Sequence, residues 1–207
     1  MVRSFIFGFV ADSPQMGCAS STHNHSSAVM SRVVFEIVLD PSSPEAVSEI
    51  EVEVHPDWAP IGAKRFMDLI EANYYNECRI YRVIPGFICQ WGIPADPREW
   101  PKWGDNKIKD DPVKVSNTRG TLSYATSGPN CRGSQLFINY DDGCAQLDEQ
   151  GFSPFAKVLR GMEVAEALIV NDDAKYGKID QHQAKQLGNE YFKNFPLSYI
   201  KTAKVVA

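Results

Sequence analysis

The spacing of apolar residues changes several times along the chain, and each change marks an element. Val33 to Leu39 (VVFEIVL) is rich in β-branched residues and reads as a strand. Asp40 to Ala46 (DPSSPEA) is a loop by its Pro and Ser content. Ile50, Val52 and Val54 then alternate with Glu49, Glu51 and Glu53, which predicts a second strand with one wet face. Between His55 and Asn73 the period lengthens. Ile61, Phe66, Leu69 and Ile70 fall on one side of a helix, with Lys64, Arg65, Asp68 and Glu71 largely on the other. Arg79 to Gln90 is strand-like but broken by Pro85-Gly86, and Ala95 to Asp111 reads as a long surface loop. Gly120 to Ala125, Gln135 to Tyr140, Phe155 to Leu159 and Ser198 to Val206 complete the strands. Met162 to Val170 fits a second helix with Met162, Ala165, Leu168 and Ile169 inward, and the polar Val170 to Leu187 holds at most a short helix from Gln181. Many short strands with two clear helices favour a closed antiparallel barrel with helical caps.

Residues 1–32 lack such a period and are expected to be a disordered leader, leaving 33–207 as one folded domain. Three readings of the leader compete. Met1-Val2-Arg3 before a short apolar stretch suggests a secretory signal, although Asp12 follows at once. Met16-Gly17-Cys18-Ala19-Ser20-Ser21 fits the myristoylation pattern, with a palmitoylatable Cys alongside, and would tether the protein to a membrane if translation began at Met16. The third reading is an extension without function.

Composition narrows the function. The 207 residues are 43% hydrophobic and 23% charged, an ordinary globular mixture. A net charge of −5 argues against broad nucleic-acid affinity, which needs a basic face. No apolar run approaches the roughly 20 residues of a membrane span, so no integral membrane segment is expected. Five widely spaced cysteines form no CxxC pair, which points to reduced thiols and a cytoplasmic address. Neither HExxH nor a zinc spacing occurs, so no metal or other cofactor is expected. Gly128 to Gly133 has phosphate-loop spacing, but Ser134 stands where the phosphate-binding Lys belongs. Asp110-Asp111 and Asp172-Asp173 read as solvated loop carboxylates, and Ser123, Ser127 and Ser134 lack a nucleophile context.

Two segments carry chemistry. In YRVIPGFICQ, Arg82 points opposite to its apolar neighbours and needs water, a carboxylate or a ligand. Phe87 and Gln90 follow the Pro-Gly break, where the chain can turn them into the same cleft. On spacing alone, a surface Arg beside a core Phe and a capping Gln is the favoured reading of the pattern. The second segment is GTLSYATSGPNCRGSQLFI, two strands around a Gly/Pro/Asn turn.

Taken in order, YRVIPGFICQWG, RGTLSYATSGPNCRGSQLFIN and LDEQGFSPFAKVLRGMEV resemble the three signature blocks of the cyclophilin family of peptidyl-prolyl cis–trans isomerases, over roughly Val33 to Val206. The resemblance implies a mainly β fold, a closed eight-stranded antiparallel β-barrel capped by two α-helices. It implies that Arg82 is the catalytic Arg, supported by Gln90 and Phe87. It places Ile88, Gln135, Phe137, Leu147 and Phe152 around the proline, with Ala125, Thr126 and Ser127 pairing with the substrate backbone. The expected partners are proline-containing peptides and unfolded client proteins, bound by a monomer without cofactor. A proline-binding module with little turnover is the alternative. Several positions depart from the family. Gln146 stands where the best-known members carry a Trp that contacts cyclosporin, so weak inhibition by that drug is expected. Phe152 replaces a common His and Leu136 a common Phe. Tyr81 replaces His, and Trp91-Gly92-Ile93 replaces a Gly-Gly-Asp run, changes expected at the rim. WAPIGAKRFMDLIE, DDPVKVSN and FPLSYIKTAKVV suggest a divergent, bacterial-type branch.

Overall fold

A computed structural model describes residues 30–206. The leader therefore lies outside the described residues up to position 29. Strand β1 (Ser31–Val38) begins two residues ahead of the expected boundary, and β2 (Val47–Val54) follows it. They pair antiparallel with Phe35 opposite Ile50, so the branched and aromatic side chains share the inner face. Helix α1 (Pro60–Glu71) comes next, then β3 (Cys78–Arg79), β4 (Arg82–Ile84) and β5 (Ile88–Trp91). The remaining elements are α2 (Trp100–Trp103), β6 (Thr121–Tyr124), β7 (Leu136–Asn139), β8 (Ala156–Arg160), α3 (Met162–Glu166), α4 (Asp173–Tyr176), α5 (Gln181–Leu187), α6 (Asn189–Phe192) and β9 (Tyr199–Val206).

All nine strands join one antiparallel sheet in the order β3-β9-β1-β2-β8-β6-β7-β5-β4. The strand count differs from the expected eight because the segment from Cys78 to Ile84 is interrupted at Ile80 and Tyr81. The two edge strands of the sheet are thus consecutive in the chain. Ile80 keeps one sheet bond at the interruption, donating its N–H to the Ser198 carbonyl at 3.0 Å. The helices also exceed the two expected. Between α3 and β9 the polar connection folds into α4, α5 and α6, with the Asp172 and Asp180 carboxylates capping the first two.

The main core fills the inner face of the sheet, with Phe35, Phe66, Tyr75, Leu122, Tyr124 and Phe155 among its fully buried members. A second cluster gathers Tyr81, Ile93, Trp100, Ala184, Phe192 and Leu197, and it seats the late helices on the outside of the sheet. The stretch expected to be a surface loop is therefore partly interior, because Trp100 is buried between α2 and these helices.

Three smaller expectations are also corrected. Ile61 is 39% exposed, and α1 instead buries Gly62, Ala63, Phe66, Leu69 and Ile70. Glu51 is only 6% exposed, because Arg160 bonds its carboxylate at 2.7 Å through Nε. Asp111 is not a solvated loop carboxylate. It is buried and accepts the Ile61 and Gly62 backbone N–H groups at 3.0 and 2.9 Å, the orphan donors of the α1 start. It also receives Arg132 Nη2 at 3.0 Å. Burying either charge alone would be costly, and removing one partner would leave the other uncompensated.

Candidate active site

Strand register brings the sequence-predicted residues together. Arg82 on β4 faces Gln90 on β5, Gln90 faces Phe137 on β7, and Phe137 faces Ser123 on β6. Directly opposed residues share a sheet face, so these four form one row on the outer side. The neighbouring row, Val83, Cys89, Ile138 and Leu122, belongs to the core. Period-two alternation thus separates packing from chemistry within the same four strands.

Above this row lies a groove of about 430 Å³. Arg82, Phe87 and Gln90 line it, and so do Ile88, Gln135, Phe137, Leu147 and Phe152. Ala125, Thr126 and Ser127 form part of the same wall. The bland alternative for the first segment, a surface Arg beside a core Phe, does not describe this arrangement: all three residues border one cavity.

One end of the groove is apolar. Ile88, Phe137, Cys144 and Leu147 are buried together, with Phe87, Ala125 and Phe152 packed on them half-buried. The Phe137 and Phe152 rings meet edge to face, 5.6 Å between centroids. Leu147 and Phe152 come from a turn of 3-10 helix, Asp142–Leu147, and the loop after it. That loop is anchored from behind by Asp148. Its carboxylate accepts the Asn117 backbone N–H at 2.8 Å, the Asn117 side-chain amide at 2.7 Å and the Ser116 hydroxyl. Asn117 in turn donates to the Phe152 carbonyl at 2.7 Å and accepts from Ser123 Oγ at 2.8 Å. Gln146, in the same turn, is exposed and does not line the groove.

The polar end is a connected network. Arg82 Nη1 donates to Gln90 Oε1 at 3.0 Å. Gln90 Nε2 donates to the Tyr81 hydroxyl at 2.8 Å and to Gln135 Oε1 at 3.1 Å. The Tyr81 hydroxyl itself donates to Gln135 Oε1. Gln90 is 5% exposed and Tyr81 3%, whereas Arg82 is exposed. Burial pushes the Tyr81 phenol well above its ordinary range, so it stays a donor at any working pH. The Gln135 side-chain oxygen thus accepts two bonds, from Gln90 and Tyr81, and Gln135 also lines the groove.

Tyr81 is the site residue that sequence reasoning misplaced. It was expected at the rim, yet it lies beneath the network with its ring stacked on Phe192 of α6 at 6.3 Å. Trp91 and Ile93, also expected at the rim, are buried. A tyrosine placed directly before the Arg on an outer strand face was the available signal. Its burial depended on helices supplied from far along the chain.

The wall opposite the apolar end is braced by close backbone contacts. Gly92 has φ +110°, and a Cβ there would lie 2.4 Å from the Ser134 carbonyl oxygen. Ser134 is fixed by Tyr74 through its hydroxyl and by Tyr75 through its carbonyl, at 2.8 and 2.9 Å. Gln135 follows directly, and its carbonyl accepts the Ala125 N–H at 2.9 Å. Among the described residues, no group of three or more His, Cys, Asp or Glu side chains could hold a metal ion. No described helix is long and apolar enough to cross a membrane.

Known proteins resemble this chain in sequence and in fold. The sequence pattern of the cyclophilin type peptidyl-prolyl cis-trans isomerase/CLD family covers residues 43–186. A peptidyl-prolyl cis-trans isomerase of Acinetobacter baylyi is 36% identical over 146 residues, 68% of this chain and 76% of that protein. Peptidyl-prolyl cis-trans isomerase A of Dickeya dadantii is 31% identical over 97% of this chain and 93% of its own length. A solved cyclophilin type isomerase of Cryptosporidium parvum, crystallised in the presence of the dipeptide Ala-Pro, superposes with a TM-score of 0.60 at 23% identity, covering 85% of this chain and 99% of that one. That likeness bears on the fold, a mainly β antiparallel sheet with a few helices. The family pattern spans more than half of the sequence and two bacterial relatives extend the match, so the chain belongs to the cyclophilin-type peptidyl-prolyl cis–trans isomerase family.

Proposed function

We infer that the groove accelerates rotation about X-Pro bonds in peptides and unfolded proteins. The observation that carries this reading is one exposed guanidinium and one apolar pocket in the same cavity, joined through Gln90. The X-Pro bond isomerises in tens of seconds because its partial double bond must twist, against a barrier of roughly 18–20 kcal/mol. Twisting localises a lone pair on the prolyl nitrogen. Ile88, Phe137, Leu147 and Phe152 are suited to holding the ring out of water. Arg82 uses one N–H on Gln90 and has others to donate to that nitrogen, which weakens the amide resonance. Gln135 presents an amide N–H toward the substrate backbone, and residues 125–127 offer an extended edge beside it. Such a site favours the twisted amide over either planar form, and only that difference raises the rate. No proton transfer or covalent step is involved.

The same reading treats residues 78–84 as one bent strand, which makes the sheet a closed eight-stranded barrel. The adjacency of β3 and β4 in the chain supports this. A monomer in the cytoplasm remains our proposal for its state and address. It is supported by Cys78, Cys89, Cys131 and Cys144 all being free thiols.

The decisive experiment is NMR exchange spectroscopy on an Ala-Pro peptide with catalytic amounts of protein. Cis–trans exchange cross-peaks are expected at mixing times where the free peptide shows none. Peptide binding without faster exchange would overturn the reading and leave a proline-binding module.

A further inference from the structure

The groove continues past Gln135 into a second compartment that the isomerisation chemistry does not use. Its walls are Trp100, Gly104 and Lys107 on one side, Gly133 on another, and Gln181 and Lys185 from α5. The Lys185 ammonium lies 4.8 Å from the Trp100 ring centroid, and that of Lys107 lies 5.6 Å from it. Lys107 also donates to the Gly104 carbonyl. Among the described residues, neither lysine has a carboxylate oxygen within 4.0 Å, a state they share with Lys109, Lys114, Lys157, Lys175 and Lys178. The Asp105 carboxylate accepts the Trp100 indole N–H at 2.8 Å through Oδ1 and partly offsets the charge of Lys185.

Two like charges beside one indole, offset only in part by the Asp105 carboxylate, are an unfavourable arrangement in a chain of net charge −5. Lys185 is half-buried, and burial followed by repulsion from Lys107 lowers its ammonium below the ordinary lysine range. An anion entering here would supply the opposite charge that offsets both. The close packing of Gly133 against the Gly104 carbonyl keeps the compartment's floor at backbone level, because a Cβ on Gly133 would lie 2.4 Å from that oxygen. A side chain reaching in from a peptide over Gln135 therefore meets cations and an aromatic face.

We propose that Lys185 and Lys107, set around Trp100, form a specificity subsite for an acidic side chain, Asp or Glu, near the proline of the substrate. This deepens the isomerase reading and rests on it for the position of the proline. Lys185 comes from the helical connection between α3 and β9, so this connection contributes directly to substrate choice.

The test uses the full chain, isotope-labelled, and matched neutral peptides around Ala-Pro in which Glu or Gln is placed at successive positions on either side of the proline. Dissociation constants from chemical-shift titration are compared at low and high salt. At one of these positions the Glu peptide is expected to bind about threefold or more tightly than its Gln partner, the range for a partly exposed ion pair, with the advantage shrinking in salt. Lys185→Gln should erase the preference and Lys185→Glu should invert it, with the amide spectrum certifying the fold of each. Equal binding of Glu and Gln at every position in the wild type overturns the subsite. So does a Glu preference that survives Lys185→Gln combined with Lys107→Gln. Exchange on the all-neutral peptide is read separately. If it is absent while the Glu preference persists, the isomerase reading fails and the subsite stands. If it is present without a Glu preference, the reverse holds.

Discussion

Arg82 and Gln90 are direct cross-strand partners, and the guanidinium of one donates to the side-chain oxygen of the other at 3.0 Å. Neighbouring strands fix the separation of their Cα atoms, so the Arg is aimed by the sheet rather than by a flexible loop. A cation held in this way costs little reorganisation when the substrate amide twists.

Arg82→Ala should therefore leave the fold intact and lower turnover on an Ala-Pro peptide at least about tenfold, or roughly 1.4 kcal/mol of barrier. Arg82 is exposed and makes no core contact that Ala would remove. NMR exchange rates check this, and rates equal to the wild type would remove Arg82 from the mechanism.

Tyr81→Phe keeps the ring on Phe192 but deletes the hydroxyl that donates to Gln135 and accepts from Gln90. The loss of such a buried bond costs about 1 kcal/mol of stability. The informative change is in turnover. Gln90 and Gln135 lose their common partner, and exchange should slow several-fold while Arg82 is still present. A variant as active as the wild type, with its melting temperature lowered, would assign Tyr81 to packing alone.

The apolar wall should loosen in acid. Burial pushes the Asp148 carboxyl upward, but the bonds from Ser116 and Asn117 outweigh it and hold the group below its ordinary value. A carboxyl lowered in the folded state contributes stability that is complete above the unfolded value, about 4, and is lost as pH falls through the folded one. The protection of residues 147–152 against hydrogen exchange, measured relative to the intrinsic rate at each pH, should accordingly fall below about pH 4. In Asp148→Asn the same segment should exchange faster already at neutral pH, with this acid-dependent step gone. An unchanged acid profile in that variant would locate the transition elsewhere.

Gly92→Ala should destabilise the protein by about 2–3 kcal/mol, since it combines a left-handed backbone with a methyl group driven against the Ser134 carbonyl. Because Ser134 adjoins Gln135, peptide affinity should fall as well. Thermal melts and titrations measure the two effects, and a neutral substitution would show that this backbone can shift.

Much of this was legible in the residues. The alternation in residues 50–54 announced a strand, and the three signature blocks named the residues that line the groove. Two kinds of feature were not legible. Asp111 looked like a solvated loop residue because its partners, the α1 start and Arg132, lie some distance away along the chain. Glu51 followed the wet side of a period-two pattern, yet Arg160 from β8 covers it. Both are long-range pairings, to which a local window is blind. Tyr81 was misread for the same reason: its outer-face position is solvent-facing until α6 arrives to cover it. Helix α5 begins at Gln181 as expected, but α4 and α6 escaped because they are short and their apolar residues are few, so no 3.6-residue stripe develops.

The partnership of β1 with β9 has a consequence for biosynthesis. A ribosome makes β1 long before β9, and the sheet has no other strand to lay against that side of β1. The nascent protein must wait with this seam open until β9 has been made, and the prolines before it pass that interval before the finished catalyst exists. Chaperones that shield unpaired strands would find their target there.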